Sequence, residues 1–268
     1  MKFIIYLIPI FLFFFKCEDD SKSKDNSTNL SIGQNNELDV PLGIGILQVN
    51  TEYPIPLYRN INDRVPFDTI KFNIDKTGVT KFITKIDLKP YVIYEGDSYQ
   101  TGERNISVGL VRFPPELKFR VVDSTKTTFT VITNEKSNEE FVIKRDAKSV
   151  YYKAEEEYYD NNCINCPNSI YNPRWYIFET WERYLKRVEF INKENLKIYD
   201  KPNGKIIFEE KNDKLLPFNV IEVNGDWIKL KKGFGREFNF EKNIDYEGWT
   251  QWKDGNKILI EITEHTYE

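Results

Sequence analysis

The sequence predicts a mainly β chain of two small antiparallel barrels, the first degenerate and carrying an insertion, joined by one amphipathic helix. Three observations predict it. Between Leu196 and Trp252, short segments of alternating apolar and polar residues are each bounded by Gly, Pro or Asn. The same order of segments recurs, less regularly, between Val40 and Val150. Aromatic residues make up 15% of the chain, a composition that suits pleated, half-buried surfaces.

The first sixteen residues stand apart. Met1-Lys2 is a short basic start, and Phe3 to Phe15 is an unbroken apolar run. That run has the length of a signal-peptide core and falls short of the ~20 residues a membrane-spanning helix needs. Lys16-Cys17 follows, and the chain turns acidic at Glu18-Asp19-Asp20. This arrangement resembles a bacterial lipoprotein signal peptide. The resemblance implies removal of residues 1–16, acylation of Cys17 and a membrane-anchored place in the bacterial cell envelope; secretion without a lipid is the alternative. Residues 17–39 are mostly Asp, Ser, Lys, Asn and Thr. Such a segment buries too little to offset its ordering entropy, so it reads as a flexible tether.

The first folded region, residues 40–150, reads as strands at Leu47-Gln48-Val49, Ile55 to Tyr58, Thr69 to Phe72, Lys81 to Asp87 and Tyr91 to Tyr94. More follow at Val108 to Phe113, Leu117 to Val122, Thr127 to Thr133 and Glu140 to Lys144. Ile55-Pro56-Leu57-Tyr58 lines up with Leu196-Lys197-Ile198-Tyr199. Leu117 to Val122 and Phe129 to Val131 line up with Pro217 to Ile221 and Trp227 to Lys229. The comparison predicts a degenerate first copy, with an insertion from about Asn73 to Gly109.

Residues 151–192 read as a loop followed by the linking helix. Asn172-Pro173 is a helix start, because Asn can cap and Pro is tolerated at the first helical position. Phe178, Trp181, Leu185 and Val188 form an apolar stripe at three- and four-residue steps, and Glu179–Arg183 and Glu182–Lys186 are i,i+4 pairs on the outer face. Cys163-Ile164-Asn165-Cys166 lies in the preceding polar loop. In an oxidising envelope a disulfide between Cys163 and Cys166 is the preferred reading, with a redox or metal role as the alternative. No metal and no cofactor is expected: zinc needs two further ligands, and the chain has one His, at 265.

In residues 193–268, Leu196, Ile198 and Phe208 point inward. Pro202-Asn203-Gly204 makes a tight turn, and Asn224-Gly225 is the strongest hairpin signal. Tyr199, Pro202, Gly204, Asn224, Gly225, Trp227, Lys229, Gly248 and Trp249 together resemble the bacterial SH3 domain family. Its repeats read Tyr-x-x-Pro-x-Gly, a hydrophobic strand, Asn-Gly-x-Trp-x-Lys and then Gly-Trp. Here Lys232 to Glu247 replaces the usual short link before Gly-Trp. The resemblance implies an SH3-like barrel and a non-catalytic binding or scaffold module. Its ligand would be a cell-wall peptide or glycan, or an envelope protein. Tyr199, Trp227, Trp249 and Trp252 are the candidate ligand-binding residues, since aromatic faces suit sugars and peptide backbones.

Charge and motifs limit the other classes. Lys and Arg total 38 against 42 acidic residues, a net charge of −4, which argues against nucleic acid as a partner. No G-x-S-x-G, H-E-x-x-H or P-loop pattern occurs, and a Cys-His or Ser-His pair has almost no material. No catalytic residue is expected. An envelope hydrolase or thiol-disulfide enzyme, and a purely structural surface protein, are the competing readings. The mature form is checked by intact mass of the membrane-extracted protein. A chain starting at Cys17 and carrying a diacyl or triacyl adduct is expected; an unmodified chain would remove the anchor.

Overall fold

The computed structural model describes residues 40–74, 80–94, 115–161, 172–210, 216–233 and 245–264. Cys17, Cys163 and Cys166 lie outside the described residues, as do the expected signal peptide, the whole of the tether and the strand expected at Val108 to Phe113. Among the described residues the chain is mainly β, with nineteen strands and two short helices.

The first set of strands is β1 (Gly45–Asn50), β2 (Ile55–Leu57), β3 (Asp68–Ile74), β4 (Thr80–Ile83), β5 (Val92–Tyr94), β6 (Glu116–Ser124), β7 (Thr128–Asn134), β8 (Glu139–Lys144), β9 (Val150–Tyr152) and β10 (Trp175–Thr180). Helix α1 (Glu155–Asn161) lies before β10, and α2 (Trp181–Arg187) follows it directly. The main sheet has the order β8-β7-β6-β1-β10-β9, with β5 also on β6, and β2, β3 and β4 pair in series. A bridge between Tyr58 and Val142 joins β2 to β8. The second set is β11 (Phe190–Asn192), β12 (Lys197–Tyr199), β13 (Ile206–Glu209), β14 (Phe218–Asn224), β15 (Trp227–Lys232), β16 (Gly248–Gln251) and β19 (Glu261–Thr263), with the hairpin β17 (Lys253–Asp254) and β18 (Lys257–Ile258) between the last two.

The second sheet runs β13-β12-β16-β15-β14-β11-β19. Read through the Tyr58–Val142 bridge, the first runs β3-β2-β8-β7-β6-β1-β10. Chain order and pairing agree strand for strand: β1 answers β11, β2 answers β12, and β10 answers β19. Every one of these pairings is antiparallel. Strands β4 and β5, which have no counterpart, lie in the expected insertion. Among the described residues the end strands β13 and β19 do not pair with each other, so the second sheet does not show the closed barrel that the sequence predicts.

Local chemistry explains the turns. Pro202 and Asn203, with φ +57° at Asn203, turn the chain so that Gly204 N–H bonds the Lys201 carbonyl at 2.9 Å. Gly225, at φ +58°, opens the two-residue loop that joins paired Asn224 and Trp227. Leu196 and Ile198 are buried, and Phe208 packs against the same core, as the alternation predicts.

The linking helix differs from expectation. Trp175–Thr180 is a strand, paired with β1 and β9, and the helix begins only at Trp181. Its cap is Thr180, whose hydroxyl accepts from Arg183 N–H, rather than Asn172-Pro173. The physical reason is alternation in Trp-Tyr-Ile-Phe: Phe178 packs with Phe129 in the first core, while Glu179 faces the opposite way. Glu182–Lys186 is an i,i+4 pair at 2.7 Å, but Arg183 reaches Glu156 at 2.6 Å and Glu179 takes Arg187. Helix α1, in the segment read as a loop, was not expected.

Strand β1 is buried on both faces. Leu47 and Val49 join a core with Leu57, Ile70, Phe119, Phe129 and Phe141; Ile46 joins a second core with Trp181, Leu185, Ile198, Phe218 and Leu230. Burial of each such side chain contributes about 1.5–3 kcal/mol.

Between the first sheet and α2 lies a buried ionic network. Lys118 on β6 donates to Glu264, which also accepts from the Tyr184 hydroxyl. Arg187 forks onto Glu179 at 2.8–3.1 Å and pairs with Glu155. Its second terminal nitrogen lies 3.8 Å from Glu264. Burial alone would push the Glu264 carboxyl up, but Lys118 and the hydrogen bonds from Lys118 and Tyr184 outweigh it and hold the pKa below its ordinary 4.5. Burial wins at Glu155, raising its pKa despite Arg187, and at Glu116, despite its bond from Gln48.

The signs oppose each other. Glu264 contributes stability that is present above pH 4.5 and lost as pH falls through its depressed pKa, whereas Glu155 and Glu116 contribute stability lost as pH rises through their raised values. Glu264→Gln leaves Lys118 buried without its charge partner and is expected to cost about 3–5 kcal/mol at pH 7. In urea unfolding the gap from wild type should narrow as pH drops below 4.5. A gap independent of pH would show that the Glu264 charge does not act as described.

Candidate functional site

Three of the four candidate aromatics share one face of the second sheet. Tyr199 is directly opposite Trp249, and Trp249 is directly opposite Lys229, so all three project to the same side. Trp227, two residues before Lys229, joins them, and its ring meets Tyr199 edge to face at 5.3 Å. All three aromatics are partly exposed, while Ile198, Ile228 and Leu230 on the opposite side are fully buried.

Gly248 permits this arrangement. A Cβ there would stand 2.5 Å from an Ile198 methyl and 2.7 Å from the Tyr199 carbonyl, so only glycine lets β12 and β16 approach and set Trp249 beside Tyr199. The charges nearby are satisfied: Lys229 pairs with Glu247 at 3.0 Å and Lys197 with Glu209 at 3.0 Å. What the face offers is aromatic surface among neutralised charges.

Trp252 is not part of it. It is 2% exposed, packs on Trp181 with ring centroids 5.8 Å apart, and donates to the Gly225 carbonyl at 2.9 Å. Trp249 and Trp252 are three residues apart, an odd step, which sends them to opposite faces of an extended segment.

The matching place in the first sheet is a groove of about 400 Å³. Tyr58 aligns with Tyr199, and its partner Val142 holds the position of Trp249. Tyr53, Tyr58 and Tyr176 line the groove together with Lys144, Arg145 and Arg174. Lys144 stands 4.4 Å from the Tyr58 ring centre, and the Arg174 guanidinium 4.2 Å from that of Tyr53. Tyr176 is stacked on Tyr151 at 5.0 Å, and burial pushes both phenols above their ordinary pKa.

Sequence reading did not find this groove. Its residues come from the end of β1 through β2 to Tyr58, the end of β8 with the link after it, and the start of β10, up to 126 positions apart in the chain. The one usable signal was the alignment of Tyr58 with Tyr199. Comparison of the chain with protein-family models, curated proteins and solved structures returns no match.

Proposed function

We propose that the chain is a non-catalytic binding module of the bacterial cell envelope, anchored to a membrane through acylated Cys17 and built of two bacterial SH3-like units. The carrying observation is the shared, partly exposed face of Tyr199, Trp227 and Trp249. Flat rings with a polar edge lose little entropy on binding, and with Lys229 and Lys197 already paired the face favours an uncharged partner surface. A cell-wall peptide or glycan, with its sugar rings and peptide planes, has that character. An envelope protein is the competing ligand.

The repeated strand order and the Pro202-Asn203-Gly204, Asn224-Gly225 and Gly248-Trp249 elements support the SH3-like reading. No oxidation, hydrolysis or cofactor enters this function.

The test is cosedimentation of the full chain with purified cell-wall sacculi. Trp249→Ala and Tyr199→Ala are each expected to weaken binding about tenfold, the effect of losing one aromatic anchor. Thermal melts serve to confirm that both variants remain folded. Undiminished sedimentation of folded variants, or no sedimentation of the wild type, would overturn the assignment.

A further inference from the structure

The groove of the first sheet differs in chemistry from its counterpart. Among the described residues, none of Lys144, Arg145 and Arg174 has a carboxylate within ion-pair distance; Lys144 donates to the neutral Asp63 carbonyl, and Arg145 lies over the Phe129 ring and reaches the Ser124 hydroxyl. The one acid lining the groove, Asp146, already accepts from Lys148 N–H at 3.0 Å. The groove therefore carries a positive excess on a chain whose total charge is negative.

Its backbone is also incomplete. Val142 exchanges both hydrogen bonds with Tyr58, at 2.8 and 2.9 Å, and Arg145 N–H turns the other way, to Thr127. By the two-residue period, the Lys144 carbonyl points toward β2, as Val142 does. There it meets Pro56, which has no N–H to give. The ladder between β2 and β8 stops at Tyr58, and the groove opens.

The second sheet handles the same position differently. The carbonyl answering that of Lys144 belongs to Gln251, and the Lys193 ammonium occupies it. At the position of Lys193 the first sheet has Glu52, which has no donor in its carboxylate, and at the position of Lys197 it has Pro56. One copy fills its acceptor from within; the other leaves it facing an electropositive, tyrosine-lined groove.

We propose that this groove binds an acidic peptide segment in extended conformation. A peptide N–H would complete the Lys144 carbonyl, alternate carboxylates would take Lys144 and Arg174, and the intervening side chains would lie on the Tyr faces. A strand-edge carbonyl beside a proline favours a peptide over a glycan, because a peptide presents N–H donors at the spacing of the interrupted ladder. This site is separate from the Tyr199 face and does not rest on its assignment.

The probe is a fluorescein-labelled pentapeptide alternating glutamate and valine, capped at both ends, titrated into the full chain and followed by anisotropy. A lysine–valine pentapeptide and a glucuronate-containing disaccharide are run beside it. Arg174→Gln and Lys144→Gln are each expected to weaken binding about tenfold, the loss of one charge-assisted contact. Lys205→Gln, the same charge change at an exposed site of the second sheet, should leave it unaltered. Raising the salt should weaken it as well. Equal binding of the basic pentapeptide, or groove variants that remain folded and bind like wild type, would overturn the proposal. So would tighter binding of the disaccharide, which would give the groove to a glycan.

Discussion

The contact on which the arrangement of the chain depends is the buried network of Lys118, Glu264 and Arg187. Lys118 belongs to β6 of the first sheet, Glu264 directly follows β19 of the second, and Arg187 ends the helix between them. Two cations are set against Glu264, Glu179 and Glu155 in a region where side chains are at most 10% exposed. Removing such groups from water costs several kcal/mol per ion, and hydrogen-bonded pairing only offsets that cost when the geometry is held. Any displacement of β19 from β6 would leave Lys118 and Glu264 buried and unpaired, so the pairing favours one register of the two sheets.

Around that junction the chain repeats one strand order twice and then departs from it. The first sheet adds β4 and β5 within one insertion and β9 beside β10 in parallel. The second remains close to the shared seven strands. Because side-chain direction follows from pairing, equal topology places Tyr58 and Tyr199 at the same address on the outer face. What each copy builds there depends on a few neighbours: Trp227 and Trp249 in one, Lys144 and Arg174 in the other.

The local features of the second sheet were legible because they are written in contiguous residues. Pro202-Asn203-Gly204 and Asn224-Gly225 each need only their own backbone preferences, and both turns form as read. Trp175–Thr180 was misread because its apolar residues fit a helical stripe and a strand equally well, and pairing with β1 decided the matter. The ionic network was illegible for another reason. Lys118 and Glu264 are 146 residues apart, and nothing local to either shows that it will be buried. The groove joins three distant segments in the same way. Trp252 is a different kind of miss, since the sequence reading groups it with the rim aromatics although its odd spacing from Trp249 sends it to the inner side.

Proline 56 shows how a small difference separates two otherwise matching sites. In the second sheet the corresponding residue is Lys197, whose backbone keeps its N–H and whose side chain reaches Glu209. In the first, Pro56 has no N–H to offer the carbonyl opposite it, and β2 and β8 meet only at Tyr58 and Val142, as β12 and β16 meet only at Tyr199 and Trp249. An exposed, flat strand edge invites unspecific pairing with other chains. Here the opening is short, closed on one side by the Tyr58–Val142 bridge and flanked by Lys144 and Arg174, so a segment of opposite charge is favoured and one of like charge is repelled. Selectivity at this place would thus come from repulsion of the wrong charge as much as from attraction of the right one, and it would be lost by neutralising the cations even if the acceptor stayed where it is.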